Sequence, residues 1–281
     1  MFPGVVVVST AADLRSALAA AATTINIFLP AARIDLGGQA LVVPAGLNAT
    51  LSSVEGGATL DGAWRSRIFE VHGALTLSRL HLTRGLAPNG TARGLSGGGA
   101  IAVGAGGSLV LLDSEVSSST TAATVVPALA LPAGGAAYVS ELANVVAVAQ
   151  ATGEHGGGIA VAANASAVLV RSSLANLSAP VGGAISNAGR VTVHQGAVVG
   201  VSAIFGGGVA VTSAGELVLL EASISGTRAT ADGGAVFVMA ATASAVVTNS
   251  SIVNNHAGRV CSQPHSALPI TPCCLPPTRR V

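Results

Sequence analysis

Aromatic and charged residues are both scarce in this chain of 281 residues. Aromatic residues make up 2% of it and charged residues 9%, whereas hydrophobic residues account for 50%. A globular core normally draws much of its buried area from aromatic rings, so this chain must bury small aliphatic side chains in regular layers. Stacked coils of β-structure do this, because Ala, Val, Ile and Leu recur at equivalent positions and pack on one another.

The lack of clustered charge and of long apolar runs excludes two classes of partner. The formal net charge is +1, and the sequence has neither a basic patch nor an aromatic stacking surface, so it gives no support to nucleic-acid binding. The mean hydropathy is positive. However, Gly, Pro, Ser and Thr interrupt the uncharged stretches before they reach the roughly 20 apolar residues of a membrane span. We therefore expect a protein that does not span a membrane.

Cysteine is absent from the body of the chain. Cys261, Cys273 and Cys274 all lie in residues 258–281, a segment rich in proline that we expect to be a disordered tail. The sequence therefore predicts no disulfide framework. No His or Cys stands at ligand spacing from the Cys273-Cys274 pair, so we predict no metal site and no cofactor.

Glycine pairs followed by alternating apolar residues recur throughout residues 98–257. Six copies begin at Gly98, Gly134, Gly157, Gly182, Gly207 and Gly233, which are 36, 23, 25, 25 and 26 residues apart by subtraction. A period in the twenties without a helical pattern is typical of a β-solenoid in which each repeat is one complete turn, or rung. The first step is longer, and we assign the difference to a Ser/Thr/Ala-rich insertion at residues 117–132.

The segments before the repeats are less regular. Within residues 1–31 the pattern predicts a short strand and then a helix to about Ala22, capped by Ser9 or Thr10, which would cover the first rung. Residues 32–97 read as irregular first rungs with short strands between glycines. The predicted fold is all-β, a right-handed single-stranded parallel β-helix with an N-terminal capping helix.

The repeat resembles that of the polymorphic outer-membrane proteins, within the pectate-lyase-like group of right-handed parallel β-helices. Gly182-Gly183-Ala184-Ile185 keeps the first half of that motif, and Ile252-Val253-Asn254-Asn255 keeps the asparagine of the second half. At the position of that asparagine the segments 174–177 and 224–227 carry Leu177 and Thr227, and Ile or Leu replaces the phenylalanine of the motif. The resemblance implies the fold, and it implies an adhesin, an autotransported passenger or a polysaccharide-active enzyme.

Several rungs end their second strand in a polar residue. Stacked on consecutive rungs, these residues would form a column with a spacing of about 5 Å. Its candidate carbohydrate-facing members are Arg171, His194, Glu221 and Asn249, with Asp113 before them. One interpretation is a polar groove for a sugar chain, in which His194 or Glu221 exchanges protons. The other, which the mixture of residue types favours, is that polar strand ends simply face water.

The remaining polar residues give little indication of catalysis. The chain has five Asp and seven Glu, counted directly, and its nearest approach to a carboxylate pair is Asp113 with Glu115. We predict no catalytic residue. Trp64, the single tryptophan, lies in a turn and is interpreted as a packing residue rather than a ligand platform. Five triplets fit the N-glycosylation acceptor pattern and favour a secreted protein, at Asn48, Asn89, Asn164, Asn176 and Asn249.

Three hypotheses of function remain open from the sequence. The first is a non-catalytic extracellular or cell-surface β-helix, adhesin-like, that binds a polysaccharide or a surface protein. The second is a degenerate polysaccharide lyase or glycoside hydrolase acting at Arg171, His194 and Glu221. The third is a fragment or mispredicted product that aggregates through an uncovered end of the coil.

Overall fold

The protein is a parallel β-solenoid of about seven rungs with one short helix near its N-terminus, as predicted. The computed structural model describes residues 5–30, 32–54, 56–87, 100–117, 120–121, 137–139 and 159–258. In each regular rung the chain passes once through each of four parallel sheets, which we number 1 to 4 in the order that the chain meets them after a glycine pair.

Sheets 1 and 2 carry the first two strands of each rung. Sheet 1 consists of Leu41–Val43, Phe69–Val71, Ile101–Val103, Ile159–Val161, Ile185–Asn187, Val209–Val211 and Val236–Val238, with Ala137–Val139 pairing antiparallel beside Ile185–Asn187. Sheet 2 contains the longest strands of the solenoid. It consists of Val5–Val7, Thr24–Leu29, Asn48–Ser53, Ala74–Ser78, Ser108–Leu112, Ser166–Val170, Arg190–His194, Glu216–Leu220 and Ser244–Thr248.

Sheets 3 and 4 complete the rung with shorter strands. Sheet 3 consists of Arg33–Asp35, Ala58–Asp61, Leu80–Thr83, Glu115–Ser117, Ser173–Ala175, Ala197–Val199, Ser223–Ser225 and Ser251–Val253. Sheet 4 consists of Leu86–Ala87, Thr120–Thr121, Ser178–Val181, Ser202–Phe205, Arg228–Ala229 and His256–Ala257.

The core is a set of aliphatic stacks that run along the solenoid. In sheet 1, Val209 pairs with Ile185 on one side and Val236 on the other, and all three are buried. In sheet 2 the buried and half-buried residues alternate, so that every second side chain faces inward. The register places similar side chains above one another, which explains how a chain poor in aromatics fills its interior.

The glycine motif forms the corner between sheets 4 and 1. Its first glycine is left-handed, with φ of +65° at Gly182, +64° at Gly206 and +69° at Gly233. The next residue packs against the neighbouring rung, where a Cβ on Gly207 would lie 2.2 Å from the carbonyl oxygen of Gly234. The motif copy therefore begins at Gly206 rather than Gly207, one residue earlier than the sequence spacing indicates.

The predicted helix is confirmed and spans Ala11–Ala20. Thr10 caps it, because its Oγ1 accepts a hydrogen bond from the backbone N–H of Asp13 at 3.1 Å. Leu14 and Leu18 are fully buried against the first rung. Arg15 also ties the helix to that rung by donating to the carbonyl of Gln39 at 2.7 Å.

The rungs on either side of the long insertion are direct neighbours. Ile101 pairs with Ile159 in sheet 1, and Leu112 pairs with Val170 in sheet 2. The glycine copies at 98, 134 and 157 lie outside the described residues. The pairing nevertheless contradicts a separate rung starting at Gly134, because no space for one remains between the two strands. The predicted tail at 258–281 lies, after Gly258, outside the described residues.

A deletion of residues 124–155 tests this topology. It leaves eight positions from Thr120 to Ile159, the same number as from Ser202 to Val209 two rungs later, and it again places three glycines before the sheet 1 strand. The deletion removes the antiparallel strand Ala137–Val139 but keeps every parallel pairing between the two flanking rungs, so we expect the variant to fold. Closing a shorter loop should leave its free energy of unfolding unchanged or about 1 kcal/mol higher in urea denaturation.

A matched control removes residue 123 as well, so that only seven positions remain. This deletion should lower the unfolding midpoint, because the sheet 4 strand and the glycine corner can no longer both keep their register. Loss of folding in the first variant would contradict the direct stacking of these rungs.

Candidate functional site

A single left-handed residue forms the corner between sheets 2 and 3 in six consecutive rungs. The φ angles of these residues lie between +47° and +57°, all six side chains are exposed, and we call them the corner column: Arg79, Asp113, Arg171, Gln195, Glu221 and Asn249. A left-handed residue turns the chain sharply without a loop, so each rung presents one polar side chain at the same place. Three of the four predicted column residues, Arg171, Glu221 and Asn249, lie at these corners, and that they face a carbohydrate stays a prediction.

Gln195, and not His194, occupies the fourth predicted position. His194 is the last residue of its strand and pairs with Val170 and Leu220, whereas the backbone N–H of Gln195 donates to the carbonyl of Leu220 at 3.0 Å. The sequence alignment that places His194 in the column is therefore one residue out of register. Aligning the inward-facing Val191 and Val193 with the other strands would have identified Gln195.

Ion pairs and hydrogen bonds link neighbouring members of the column. Arg171 binds Asp113 with both arms of its guanidinium, through Nε–Oδ1 at 2.6 Å and Nη2–Oδ2 at 3.0 Å. The hydrogen bonds from Arg171 hold the pKa of Asp113 below its usual range. Further along, the side-chain amide of Gln195 donates to Glu221 Oε2 at 2.9 Å. His194 Nε2 lies 4.0 Å from the same oxygen.

Buried serines fix the backbone behind the column. Ser172 follows Arg171, and its Oγ accepts from the backbone N–H of Ser114 at 3.3 Å and donates to the carbonyl of Val170 at 3.0 Å. Ser250 makes the same pair of bonds with Ala222 and Thr248, at 3.0 and 2.8 Å. These bonds satisfy backbone groups that the corner would otherwise leave unpaired. The backbone behind these corners is therefore held in place by side-chain hydrogen bonds.

A groove of about 600 Å³ opens at the N-terminal end of the column. It is lined by Gly56, Gly57, Arg79, His81 and Asp113. The His81 ring packs closely against Gly57. A Cβ added at Gly57 would lie only 2.6 Å from the ring, so a larger residue would collide with it. The Arg79 side chain is exposed and makes no hydrogen bond or ion pair with a described residue. Its backbone N–H donates to the carbonyl of Leu112 at 3.0 Å, and its charge helps to lower the pKa of Asp113.

The two carboxylates that the sequence singles out have separate partners. Asp113 binds Arg171, whereas Glu115 Oε2 lies 3.4 Å from His81 Nδ1. Within the described ranges, no group of three His, Cys, Asp or Glu side chains could hold a metal ion. The two carboxylates therefore contact different basic side chains, and Asp113 lines the groove.

A second charged cluster lies at the corner that follows Asp61. Asp61 is completely buried and accepts hydrogen bonds from Arg33, Arg84 and the backbone N–H of Ala63. Burial alone would raise the pKa of Asp61, but the bonds from Arg84, Ala63 and Arg33 together hold it below its usual value. The cluster fixes a turn in which Ala63 and Trp64 are both left-handed, with φ of +53° and +58°.

Sequence reasoning did not find this cluster, because Arg33, Asp61 and Arg84 come from three successive rungs. Trp64 is half-buried in the turn, and its backbone N–H donates to the carbonyl of Arg84 at 2.7 Å. These contacts give the cluster a structural role in shaping the irregular first rungs. The interpretation of Trp64 as a packing residue rather than a ligand platform stays a prediction.

The predicted glycosylation acceptors lie on the surface wherever the structure describes them. Asn164, Asn176 and Asn249 are exposed in left-handed turns, and Asn48 is exposed at the start of its strand. Asn89 lies outside the described residues. An oligosaccharide could reach all four described asparagines, so modification at these sites stays a prediction that the geometry permits.

The comparisons with known proteins add no family to this description. No protein-family model matches the chain, and neither a curated protein nor a solved structure matches it. The resemblance to pectate-lyase-like proteins and their repeats therefore has only the solenoid fold in its support. Among the residues that the structure describes, none of the helical segments has the length and hydrophobicity that crossing a membrane requires.

The bidentate contact predicts how the charges of the column respond to mutation. Replacing Arg171 with Met should raise the pKa of Asp113 toward the ordinary carboxyl value, because the hydrogen bonds and the positive charge that favour the carboxylate are lost. An NMR titration of the Asp113 side-chain carboxyl measures this shift. Gln195→Met is the control and should leave the titration unchanged; equal titration in all three proteins would show that the ion pair does not form.

Proposed function

We propose that this protein is a non-catalytic binding module of the cell surface or extracellular space, and that its ligand is a polysaccharide or a surface protein. The corner column and its groove would form the binding face. The observation that carries this proposal is the groove of about 600 Å³ with the exposed side chain of Arg79 on its wall. An exposed guanidinium beside an open groove can donate several hydrogen bonds to a ligand.

The chemistry of the column suits binding along an extended molecule. Its exposed side chains include donors, acceptors and both signs of charge, and they repeat at the rung spacing of about 4.8 Å. A polymer that lies along the column could therefore meet a polar side chain at every rung. The serine bonds behind the column would keep this face ordered before binding, which lowers the entropy that binding costs.

The state of the carboxylates supports binding rather than catalysis. The pKa of Asp113 is lowered, and its carboxylate accepts hydrogen bonds from Arg171. Glu221 accepts a hydrogen bond from the side-chain amide of Gln195. A general acid needs a carboxyl that keeps its proton near neutral pH, and the pKa of Asp113 is shifted the other way.

A degenerate hydrolase or lyase is the second candidate, because one contact favours it. His194 Nε2 lies 4.0 Å from Glu221 Oε2, and Arg171 is on the adjacent rung, where its backbone N–H donates to the carbonyl of His194. An acid or base could therefore act at this part of the edge. This candidate would be established if the parent protein turns over a polysaccharide and both His194→Gln and Glu221→Gln lose that activity.

Binding of the full chain to immobilised polysaccharides and cell-surface proteins tests the proposal, with released reducing or unsaturated ends measured in the same samples. We expect binding without turnover. Arg79→Met should weaken binding at least tenfold, since a charge-assisted hydrogen bond contributes about 1.5–3 kcal/mol.

Arg190→Met is the matched control, because Arg190 is also exposed but lies at the opposite end of the sheet 2 strands and pairs with Glu216. It should change the affinity less than twofold, because the proposed ligand contacts the groove and not this end of the strands. Equal losses in both variants, or an absence of binding to the whole panel, would contradict a binding face at the groove.

A further inference from the structure

The last described rung leaves one edge of all four sheets open. Val236–Val238, Ser244–Thr248, Ser251–Val253 and His256–Ala257 are each the terminal strand of their sheet. Every one of them pairs with the preceding rung, and no described strand pairs with its other side. Such an edge presents a row of backbone donors and acceptors that fit another β-strand.

The apolar interior is also uncovered at this end. The inward-facing Ala245, Val247 and Ile252 are only half-buried, whereas their neighbours one rung earlier, Leu217, Leu219 and Ile224, are at most 1% exposed. On the outer surface of the same rung, Val246 is 52% exposed and Val253 is 38% exposed. Within the part of the chain that the structure describes, this end of the solenoid is therefore an apolar layer surrounded by open strand edges.

Charged residues are missing from this rung. No Asp, Glu, Lys or Arg lies between Asp232 and Arg259, and His256 is the sole ionisable side chain between them. Proteins usually protect an open edge with Lys, Pro or an inward-pointing charge. Here nothing in the rung opposes pairing with another strand.

The opposite end of the solenoid is covered over its interior and carries charge. The helix Ala11–Ala20 covers the interior through Leu14 and Leu18, and Arg15 bonds the helix to the first rung. The sheet 3 strand at that end carries Arg33 and Asp35, both exposed. Among the described residues, sheet 2 does end there in an uncharged edge strand, Val5–Val7, with Val7 59% exposed. A second copy approaching head to tail could therefore pair with sheet 2, but it would meet the helix over the interior and charges at sheet 3.

We propose that the open end binds the same end of a second copy of this chain and forms a closed two-fold dimer. The two-fold axis reverses the strand direction, so Ser244–Thr248 would pair antiparallel with its own copy around Val246. The two apolar layers would meet and bury the half-exposed Val247 and Ile252 of both chains. This dimer does not depend on the proposed ligand, because the groove lies at the other end of the column.

The mass of the full chain in solution, measured by sedimentation equilibrium, tests the dimer. We expect twice the mass of one chain for the parent protein and the mass of one chain for Val246→Lys, because two lysines would face each other across the axis. Val199→Lys is the matched control: Val199 is 42% exposed on the outer face of sheet 3, away from the open edge, and its variant should stay dimeric. Val7→Lys, at the opposite end, should also stay dimeric.

Cysteine cross-linking locates the contact independently of stability. In a background with Cys261, Cys273 and Cys274 replaced by Ser, Val246→Cys should oxidise to a covalent dimer, and Val199→Cys should stay a monomer on a denaturing gel.

Three outcomes overturn the proposal. The parent protein stays monomeric at about 100 μM, well above the Kd of a specific interface. Alternatively, Val246→Lys leaves the dimer intact while circular dichroism shows it folded. Lastly, Val7→Lys abolishes the dimer, either alone or as well as Val246→Lys; loss in both variants would indicate head-to-tail association instead.

Discussion

Parallel pairing of each rung with the next is the constraint on which the rest of this structure depends. Strands spaced about 4.8 Å apart leave little room for a change in backbone path inside the stack. The glycine corner shows this most directly, because a Cβ at Gly207 would collide with the carbonyl oxygen of Gly234. The buried Ser172 and Ser250 meet the same constraint at another corner by bonding backbone groups of the adjoining rungs.

The same constraint leaves the outward side chains free to vary. At the corner of sheets 2 and 3 the backbone conformation is constant, but the side chains include Arg171, Gln195 and Glu221. Repeated backbone with varied side chains gives a rigid face whose chemistry can differ from rung to rung, which is the property that a binding module needs. The end of the solenoid, in contrast, suits a single kind of partner. An open strand edge without charged residues can pair with the edge of another β-sheet.

The sequence predicted the fold because the glycine period and the alternation of apolar residues are local patterns. It predicted the helix from Thr10, Asp13 and the leucines for the same reason. It missed the exact register at Gln195, because Arg, Asp, Gln, Glu and Asn all occupy the left-handed corner and no residue type marks it. It also missed the pairing of Ile101 with Ile159 and the cluster around Asp61, which join residues far apart in the chain.

A disulfide between the rungs that flank the insertion tests this account most directly. Val110 and Val168 are paired, half-buried residues on the outer face of sheet 2, so the double variant Val110→Cys/Val168→Cys should form an intramolecular disulfide under mild oxidation. Val110→Cys/Thr192→Cys, which spans two rungs and thus about 9.6 Å, should not. A missing cross-link in the first variant would mean that another rung lies between these strands, and the stacking described above would be wrong.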